Sequence, residues 1–548
     1  MPDVLVVNLT RFGDLLQSQP LIHDLHDSGH SVGLICLENF LPALPLLRHV
    51  EAAWALPGSK LLGCLDHDWK AAAACLLEFA QGIRREARPR HVLNLTATLP
   101  ARLLTRLLAG EDAAILGFGL DAEGFGFHEN VWFSFLSGAV RQRLHAPFNL
   151  VDMFRMAAIR LTSPDISTRP GKNLLQQPGP EANAWADALL DTGTVSGGEA
   201  AQGFVALQLG ASEARRQWPV AHFAALADRL WQTAGLCPVL LGSRGERALA
   251  EAYAAAARAP FFDAVGRTDI PQLAALLARC RLLLTNDTGT MHLAAGLGVP
   301  SLAFFLATAQ PWDTGPYLPG CCCLEPALPC HPCPYSAPCT RRESCRSQIT
   351  PESVAELVLG WLQQGDWRAG LGPQLAAQAR VWQTGTDARG FATVEALSPH
   401  ATEERSLWLG QQRIFWRQIL DEMCGLSPDT TSDMPLWAGA APCTPALRQR
   451  VRPVLEQAAR LLELLAEQGR ILGKSAQAGQ LFLRNCDRLQ ALLESCPELA
   501  VLGIFWAELR QERGDRMEEL LLLIALLARH LRLWARALDS GPATVGVA

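Results

Sequence analysis

The chain has 548 residues, 49% of them apolar and 19% charged, with a formal net charge of −6. That length accommodates about three or four domains, and the composition is that of soluble, globular cores. A mild negative charge spread over the whole length excludes the clustered basic face of a nucleic-acid binder, and the start MPDVLVVNLT has neither the basic nor the long apolar region of a signal peptide. The longest apolar run near the C-terminus, Leu520 to Ala528, is about half of what a membrane span needs. A cytoplasmic protein is expected, and peripheral contact with an inner membrane is compatible with it.

From Val4 to about Leu161 the pattern alternates between strands and helices, with strands at Val4 to Leu9, Val32 to Leu37, Val92 to Leu95 and Ile115 to Phe118. This predicts a Rossmann-like domain over residues 1–165. Asp14 falls where the first strand hands over to its helix. Position alone supports an N-cap, worth about 1 kcal/mol, and equally an ionised carboxylate that the helix start favours and that can act as a base.

Residues 166–202 shift to Pro, Gly, Ser, Thr and acidic residues and read as a linker with one helix at Glu181 to Leu190. A second series follows, with strands at Phe204 to Leu209, Pro238 to Leu241, Phe261 to Val265, Leu282 to Leu284 and Leu302 to Phe305, so residues 203–370 form a second Rossmann-like domain. Arg215 and Arg216 stand between its first strand and the Trp218-Pro219 helix start. An arginine there can hold a diphosphate bidentately, although exposed loop arginines are usually just solvated.

The stretch Arg281 to Phe305, RLLLTNDTGTMHLAAGLGVPSLAFF, combines a buried strand, a polar turn, a helix stopped by Gly298 and Pro300, and a second buried strand. Ligands bind at the carboxyl ends of strands in such sheets, and the free N–H groups of a helix start favour phosphate. Thr285, Asn286, Asp287, Thr288 and Gly289 supply turn and N-cap chemistry. His292 sits on the first helical turn, where a lone histidine is more often a satisfied core residue than a catalyst.

Seven of the 16 cysteines lie between Cys321 and Cys345. Cys330, Cys333, Cys339 and Cys345 offer four thiolates to a structural zinc or iron; reduced thiols and disulfides remain open alternatives. The scattered cysteines read as reduced core residues. After a helix at Pro351 to Gln363 and a loop-rich passage come helical patterns at Leu407 to Met423, Leu447 to Glu467, Gly479 to Leu493 and Met517 to Leu538. They predict an all-α accessory bundle over residues 400–540, a docking or oligomerisation module in which no chemistry is legible.

The motif Asp287-Thr288-Gly289-Thr290-Met291-His292, with Leu293-Ala294-Ala295 and Gly298-x-Pro300, resembles the nucleotide-sugar signature of glycosyltransferase family 9, the ADP-heptose:lipopolysaccharide heptosyltransferases. Arg11-Phe12-Gly13-Asp14-Leu15-Leu16 resembles that family's first loop. Leu209-Gly210-Ala211 with Arg216-Gln217-Trp218-Pro219, and Leu241-Gly242 with Glu246, resemble the start of its donor domain. The resemblance covers roughly the first two thirds of the chain, and the helical bundle lies outside it. It implies an α/β GT-B fold, two Rossmann-like domains facing a cleft. It also implies Asp14 as general base, His292 beside the diphosphate, Arg216 at the family's phosphate-binding lysine position and Glu246 on the donor ribose. Some relatives that modify autotransporter proteins carry a cysteine-bound iron. Asp66-His67-Asp68 superficially matches a metal-binding Asp-x-Asp, but such triplets arise by chance and this one lies in the wrong half for the donor.

The expected activity is inverting transfer of a heptose, or a related sugar, from a nucleotide diphosphate, foremost ADP-heptose, to a hydroxyl of lipopolysaccharide core, a glycan or a protein, with no cofactor required. A rival reading is an inert GT-B scaffold or sensor acting through its bundle and cysteine cluster. An epimerase on the same fold would need further cleft residues that the sequence does not reveal.

Overall fold

A computed structural model describes residues 1–162, 174–191, 201–334, 338–426, 443–472, 476–514 and 516–538. The expected linker 166–202 lies largely outside these, except that Pro180–Asp191 forms the anticipated helix. The chain divides into two compact units, Met1–Ile115 with Phe148–His400, and Leu116–Pro147 with Ala401–Ala548.

The first unit holds two sheets. In one, the strands Val50–Leu56, Val32–Leu37, Val4–Val7 and His91–Asn94 lie side by side, all parallel, with Val4 opposite both Val32 and His91. Leu5, Val7, Ile35 and Val92 face Ile83 and Leu104 in its core. Both faces are covered, so these strands are apolar runs and not alternating ones. Val50–Leu56 escapes the sequence reading because VEAAWAL carries little β-branched character and stays only partly buried. Asp68, in the discounted Asp-x-Asp, caps the Trp69–Glu86 helix by accepting the Lys70 and Ala71 N–H groups at 3.0 and 3.2 Å.

The second sheet has eight strands, ordered Ala392–Ala396, Ala379–Thr386, Cys322–Pro326, Ser301–Phe304, Cys280–Asn286, Gly203–Gln208, Leu236–Leu241 and Phe262–Asp263. The first two form an antiparallel hairpin on an otherwise parallel sheet. Cys321, Cys322 and Cys323 are fully buried, the last two as an interior strand, and burial pushes all three thiols up, so they are core residues. The passage after Gln363, expected as loop, supplies both hairpin strands. Trp382, on the hairpin, donates its indole N–H to buried Glu325 at 2.7 Å, which satisfies a carboxylate that the interior would otherwise penalise.

The halves of this unit are joined by a buried polar knot. Arg155, on the Leu150–Met156 helix, donates to Asp24 Oδ2 at 2.6 Å and to Tyr317 Oη at 2.9 Å. Asp152, one turn earlier, accepts from Tyr317 Oη at 2.9 Å and from the Ala392 N–H at 2.8 Å.

The second unit contains the helices Glu404–Met423, Pro445–Gly469, Ala476–Glu494, Ala500–Arg513 and Met517–Ala537. It also takes in the segment Leu116–Pro147, which the sequence assigned to the first Rossmann-like domain. The reason is aromatic burial. Trp132, Phe133 and Phe135 on the Val131–Arg141 helix are fully buried, and the Phe135 ring lies 4.6 Å from Trp416. Each such side chain contributes about 2–3 kcal/mol on leaving water. Gly138 permits the approach, since a methyl there would meet the Val501 carbonyl oxygen at 3.3 Å. Leu520, Leu523, Ile524 and Leu527 are buried core of this unit. Among the described residues no single helix is long and apolar enough to cross a membrane.

Candidate active site

In the first sheet the strand order switches direction beside Val4–Val7, and the chain leaves that strand toward the Phe12–Gln17 helix. Asn8 shapes the turn by donating its side-chain amide to the Asp14 carbonyl at 3.1 Å. Asp14 is half-buried, and its Oδ2 accepts the Arg11 N–H at a long 3.4 Å. Burial pushes the Asp14 carboxyl above the ordinary value of 3.8, while His292 and Arg11 act in the opposite direction. Burial wins, so the ionised form is disfavoured where the helix start alone was expected to favour it. A carboxylate with a raised pKa is a better proton acceptor.

The second sheet switches direction between Gly203–Gln208 and Cys280–Asn286, where Gln208 stands opposite Thr285. Asn286 ties the two strand ends together. Its amide nitrogen donates to the Leu209 carbonyl at 2.9 Å and the Gly210 carbonyl at 3.2 Å, and its oxygen accepts the Trp218 N–H at 2.8 Å. The Gly289–Leu297 helix starts immediately afterwards, with Thr288 as an N-cap whose side chain makes no capping hydrogen bond. Its first N–H groups therefore stay open to an anion. Arg216, buried, donates Nη1 to Ser212 Oγ at 3.0 Å and pairs through Nη2 with Asp287 Oδ2. Its Nε makes no hydrogen bond among the described residues.

His292 is buried and its Nδ1 has no hydrogen-bond partner among the described residues. Burial lowers its pKa, against the pull of Asp287 and Asp14, so the neutral ring is favoured. The two helix starts meet here. A methyl added to Gly289 would touch Phe12 Cδ1 at 2.7 Å and the Gly13 nitrogen at 3.4 Å. Asp14 and His292, on different halves of the unit, thus share one neighbourhood.

Glu246 is held from two sides. Ser243 donates to its Oε2 from N–H at 2.6 Å and from Oγ at 2.8 Å, and Gln208 Nε2 donates to its Oε1 at 3.0 Å. Glu246 thus closes a capping box with Ser243, and its Oε1 also reaches toward the strand ends. Thr290 donates its hydroxyl to Gln208 Oε1 at 3.0 Å. Of the eight residues singled out from the sequence, Arg216 pairs with Asp287, Glu246 and Thr290 share Gln208, and Gly289 and His292, on the helix capped by Thr288, lie against the loop that carries Asp14. Gln208 was not singled out, and Asn286 was read only as part of the turn. The available signal was a polar residue closing each otherwise apolar buried strand.

Cys330, Cys333, Cys339 and Cys345 carry free thiols. Burial is the main cause that raises the Cys333 and Cys345 thiols, and their cysteine neighbours add to it, Cys330 and Cys339 at Cys333 and all three others at Cys345. Cys339 Sγ accepts the Arg341 and Glu343 N–H groups at 3.4 and 3.2 Å. Mutual repulsion relieved by a cation, and amides aimed at sulfur, fit a metal-binding knuckle. No three of these sulfurs close to within 4.8 Å of one another among the described residues. The loop braces the donor side: the Cys333 N–H donates to the Ala307 carbonyl at 2.7 Å, and Arg346 Nε donates to the Gln217 carbonyl at 2.9 Å.

Two Rossmann-like sheets with polar strand ends converging define a GT-B fold. The solved structure of a glycosyl transferase family 9 protein from Veillonella parvula shares it, with a TM-score of 0.51 over 66% of this chain and 98% of that one at 19% identity. Residues 163–340 match the family described as glycosyltransferase family 9 (heptosyltransferase), and the resemblance seen in the motifs is borne out over that segment. Among curated proteins the chain is similar to lipooligosaccharide heptosyltransferase 2 of Haemophilus ducreyi, 35% identical over 89 residues, 16% of this chain and 25% of that protein. It is likewise similar to lipopolysaccharide heptosyltransferase 1 of Pseudomonas aeruginosa, 32% identical over 137 residues, 25% of this chain and 36% of that protein. The matches thus span only about a quarter to a third of the length of these relatives.

Proposed function

We propose that the protein is an inverting glycosyltransferase that moves a heptose, or a closely related sugar, from a nucleotide diphosphate, foremost ADP-heptose, to an acceptor hydroxyl. The observation that carries this reading is the meeting of a carboxylate of raised basicity, Asp14, with the open helix start at Thr288 to Thr290 and neutral, buried His292. The acceptor oxygen attacks the anomeric carbon and its proton passes to the Asp14 carboxylate. The bond from that carbon to the diphosphate breaks, and the leaving group departs with the electron pair. Arg216 and the helix-start amides stabilise the departing charge. The His292 ring stands ready to donate a hydrogen bond to it. Glu246 accepts from the ribose hydroxyls.

The relatives named for lipopolysaccharide and lipooligosaccharide make a lipopolysaccharide core the first acceptor to test, with other glycans and proteins behind it, at the cytoplasmic face of the inner membrane. The helical unit is the acceptor-docking or self-association module of this reading. No cofactor enters the transfer. Cys330, Cys333, Cys339 and Cys345 would hold a structural zinc or iron, which when bound supplies a tetrahedral cross-link and no bond-making step.

Incubation of the purified chain with ADP-heptose, and with GDP- and UDP-sugars in parallel, tests the reading through release of nucleoside diphosphate with and without lipopolysaccharide acceptor. Acceptor-stimulated release supports the transferase. Failure to release nucleotide from any donor, with or without acceptor, assigns the chain to the inert scaffold. Elemental analysis of the same preparation shows about one zinc or iron per chain if the knuckle is filled.

A further inference from the structure

We propose that Gln208 is a positioning residue that couples recognition of the ribose diol to seating of the diphosphate. This deepens the donor-site reading above and rests on it. Gln208 closes the Gly203–Gln208 strand, is 5% exposed, and spends both ends of its amide. Nε2 donates to Glu246 Oε1 and Oε1 accepts the Thr290 hydroxyl, each at 3.0 Å. An ionised carboxylate only accepts, so the amide has a single workable orientation, with nitrogen toward Glu246 and oxygen toward Thr290.

That orientation has a consequence on each side. Thr290 has one hydroxyl proton, and Gln208 takes it, so Thr290 can donate to an anion only from its backbone N–H at the start of the helix. Glu246 is locked as well. Its Oε2 is held by Ser243, and its Oε1 lies so near the backbone that a methyl on Gly210 would sit 1.5 Å away. Oε2 is filled by the two Ser243 hydrogen bonds and Oε1 accepts one from Gln208, so one acceptor position remains, on Oε1, for a hydroxyl of the ribose diol. The chain Ser243–Glu246–Gln208–Thr290 runs from the diol side to the phosphate side without a gap. The ligand class it selects is a nucleoside diphosphate with a free ribose hydroxyl.

The test measures affinity by calorimetry for ADP and for 2′,3′-dideoxy-ADP. The wild-type chain is expected to prefer ADP tenfold or more, and Gln208→Met, which keeps the length and removes both hydrogen bonds, to cut that preference to about threefold or less. Thr290→Val, isosteric and without the hydroxyl, releases the amide from the other end and is expected to shrink the same ratio even if Gln208→Met folds poorly. Equal losses of affinity for both nucleotides in the variants would make Gln208 a merely structural residue and overturn the proposal. So would an unchanged preference. A wild type that binds both nucleotides equally removes the diol reading and this proposal but keeps the diphosphate site. A wild type that binds neither removes the donor site itself.

Discussion

A methyl group on Gly13 would lie 2.9 Å from His292 Cδ2 and 3.3 Å from Gly289 Cα, so the residue before Asp14 is a glycine because a histidine from the other half of the unit occupies the space. The first loop and the donor-side helix are fitted to each other at that point. Gly13→Ala should displace the imidazole by a few tenths of an ångström or more and lower turnover about tenfold or further. The thermal midpoint should change little. Steady-state kinetics alongside thermal unfolding checks this, and normal turnover would separate His292 from the chemistry.

Asp14→Asn should lower the turnover number by about 10²-fold or more and leave nucleoside diphosphate affinity nearly unchanged. The pH profile carries an independent sign. The folded-state pKa lies above 3.8, so the acid limb of turnover should lie above the ordinary aspartate value. The same raised pKa means that the proton stabilises the fold, and this contribution is lost as pH rises through the folded pKa. The Asn variant should therefore unfold at a temperature equal to or higher than wild type at neutral pH, as scanning calorimetry would show.

Arg216→Ala should weaken nucleoside diphosphate binding about 10- to 100-fold, since it removes a charge-assisted contact. It also strands buried Asp287, the partner of Arg216 in the free protein. The variant should lose stability along with affinity. Arg216→Ala combined with Asp287→Asn should recover the stability and not the affinity, a split readable by denaturant titration and calorimetry.

Arg155→Met tests the polar knot. Removing the guanidinium leaves Asp24 and Asp152 without their buried cationic neighbour, and such losses cost about 3–5 kcal/mol. Urea denaturation should show a shift of that size; one below about 1 kcal/mol would mean that the network relaxes around the gap.

The structure changes where the chain can be cut. Ending it near residue 375, just upstream of the hairpin, removes Ala379–Thr386 and Ala392–Ala396 from the second sheet and leaves the Cys322–Pro326 edge unpaired. Ending it at His400 keeps the sheet but strips the partners of Trp132, Phe133 and Phe135. Such a fragment should aggregate, and sedimentation should show it. Replacing residues 116–147 with a short linker in the same fragment should restore solubility and nucleotide binding.

The Rossmann-like halves were legible because their signals are local. An apolar run bounded by Gly, Asn and Asp marks a strand end, and Gly298 and Pro300 stop a helix whatever surrounds them. The hairpin was not legible, because ARVWQTGT is only half-apolar and becomes a strand through its pairing with Cys322–Pro326. Nor did the sequence mark Cys322 and Cys323 as an interior strand, because they stand in a cysteine-rich run and become a strand through pairing with Ser301–Phe304 and the hairpin.

By itself the sequence determined the βα alternation, the polar turn before His292, the position of Asp14 after the first strand and the helical character of the C-terminal region, since each depends on residues a few places apart. Only the tertiary structure decided that Asp14 is pushed toward its protonated form, that Arg216 is paired with Asp287, that Gln208 links Glu246 to Thr290, and that residues 116–147 pack with the helices Glu404–Met423 and Ala500–Arg513. Desolvation, hydrogen-bond satisfaction and aromatic burial depend on which distant side chains share a volume, and periodicity along the chain carries no record of that.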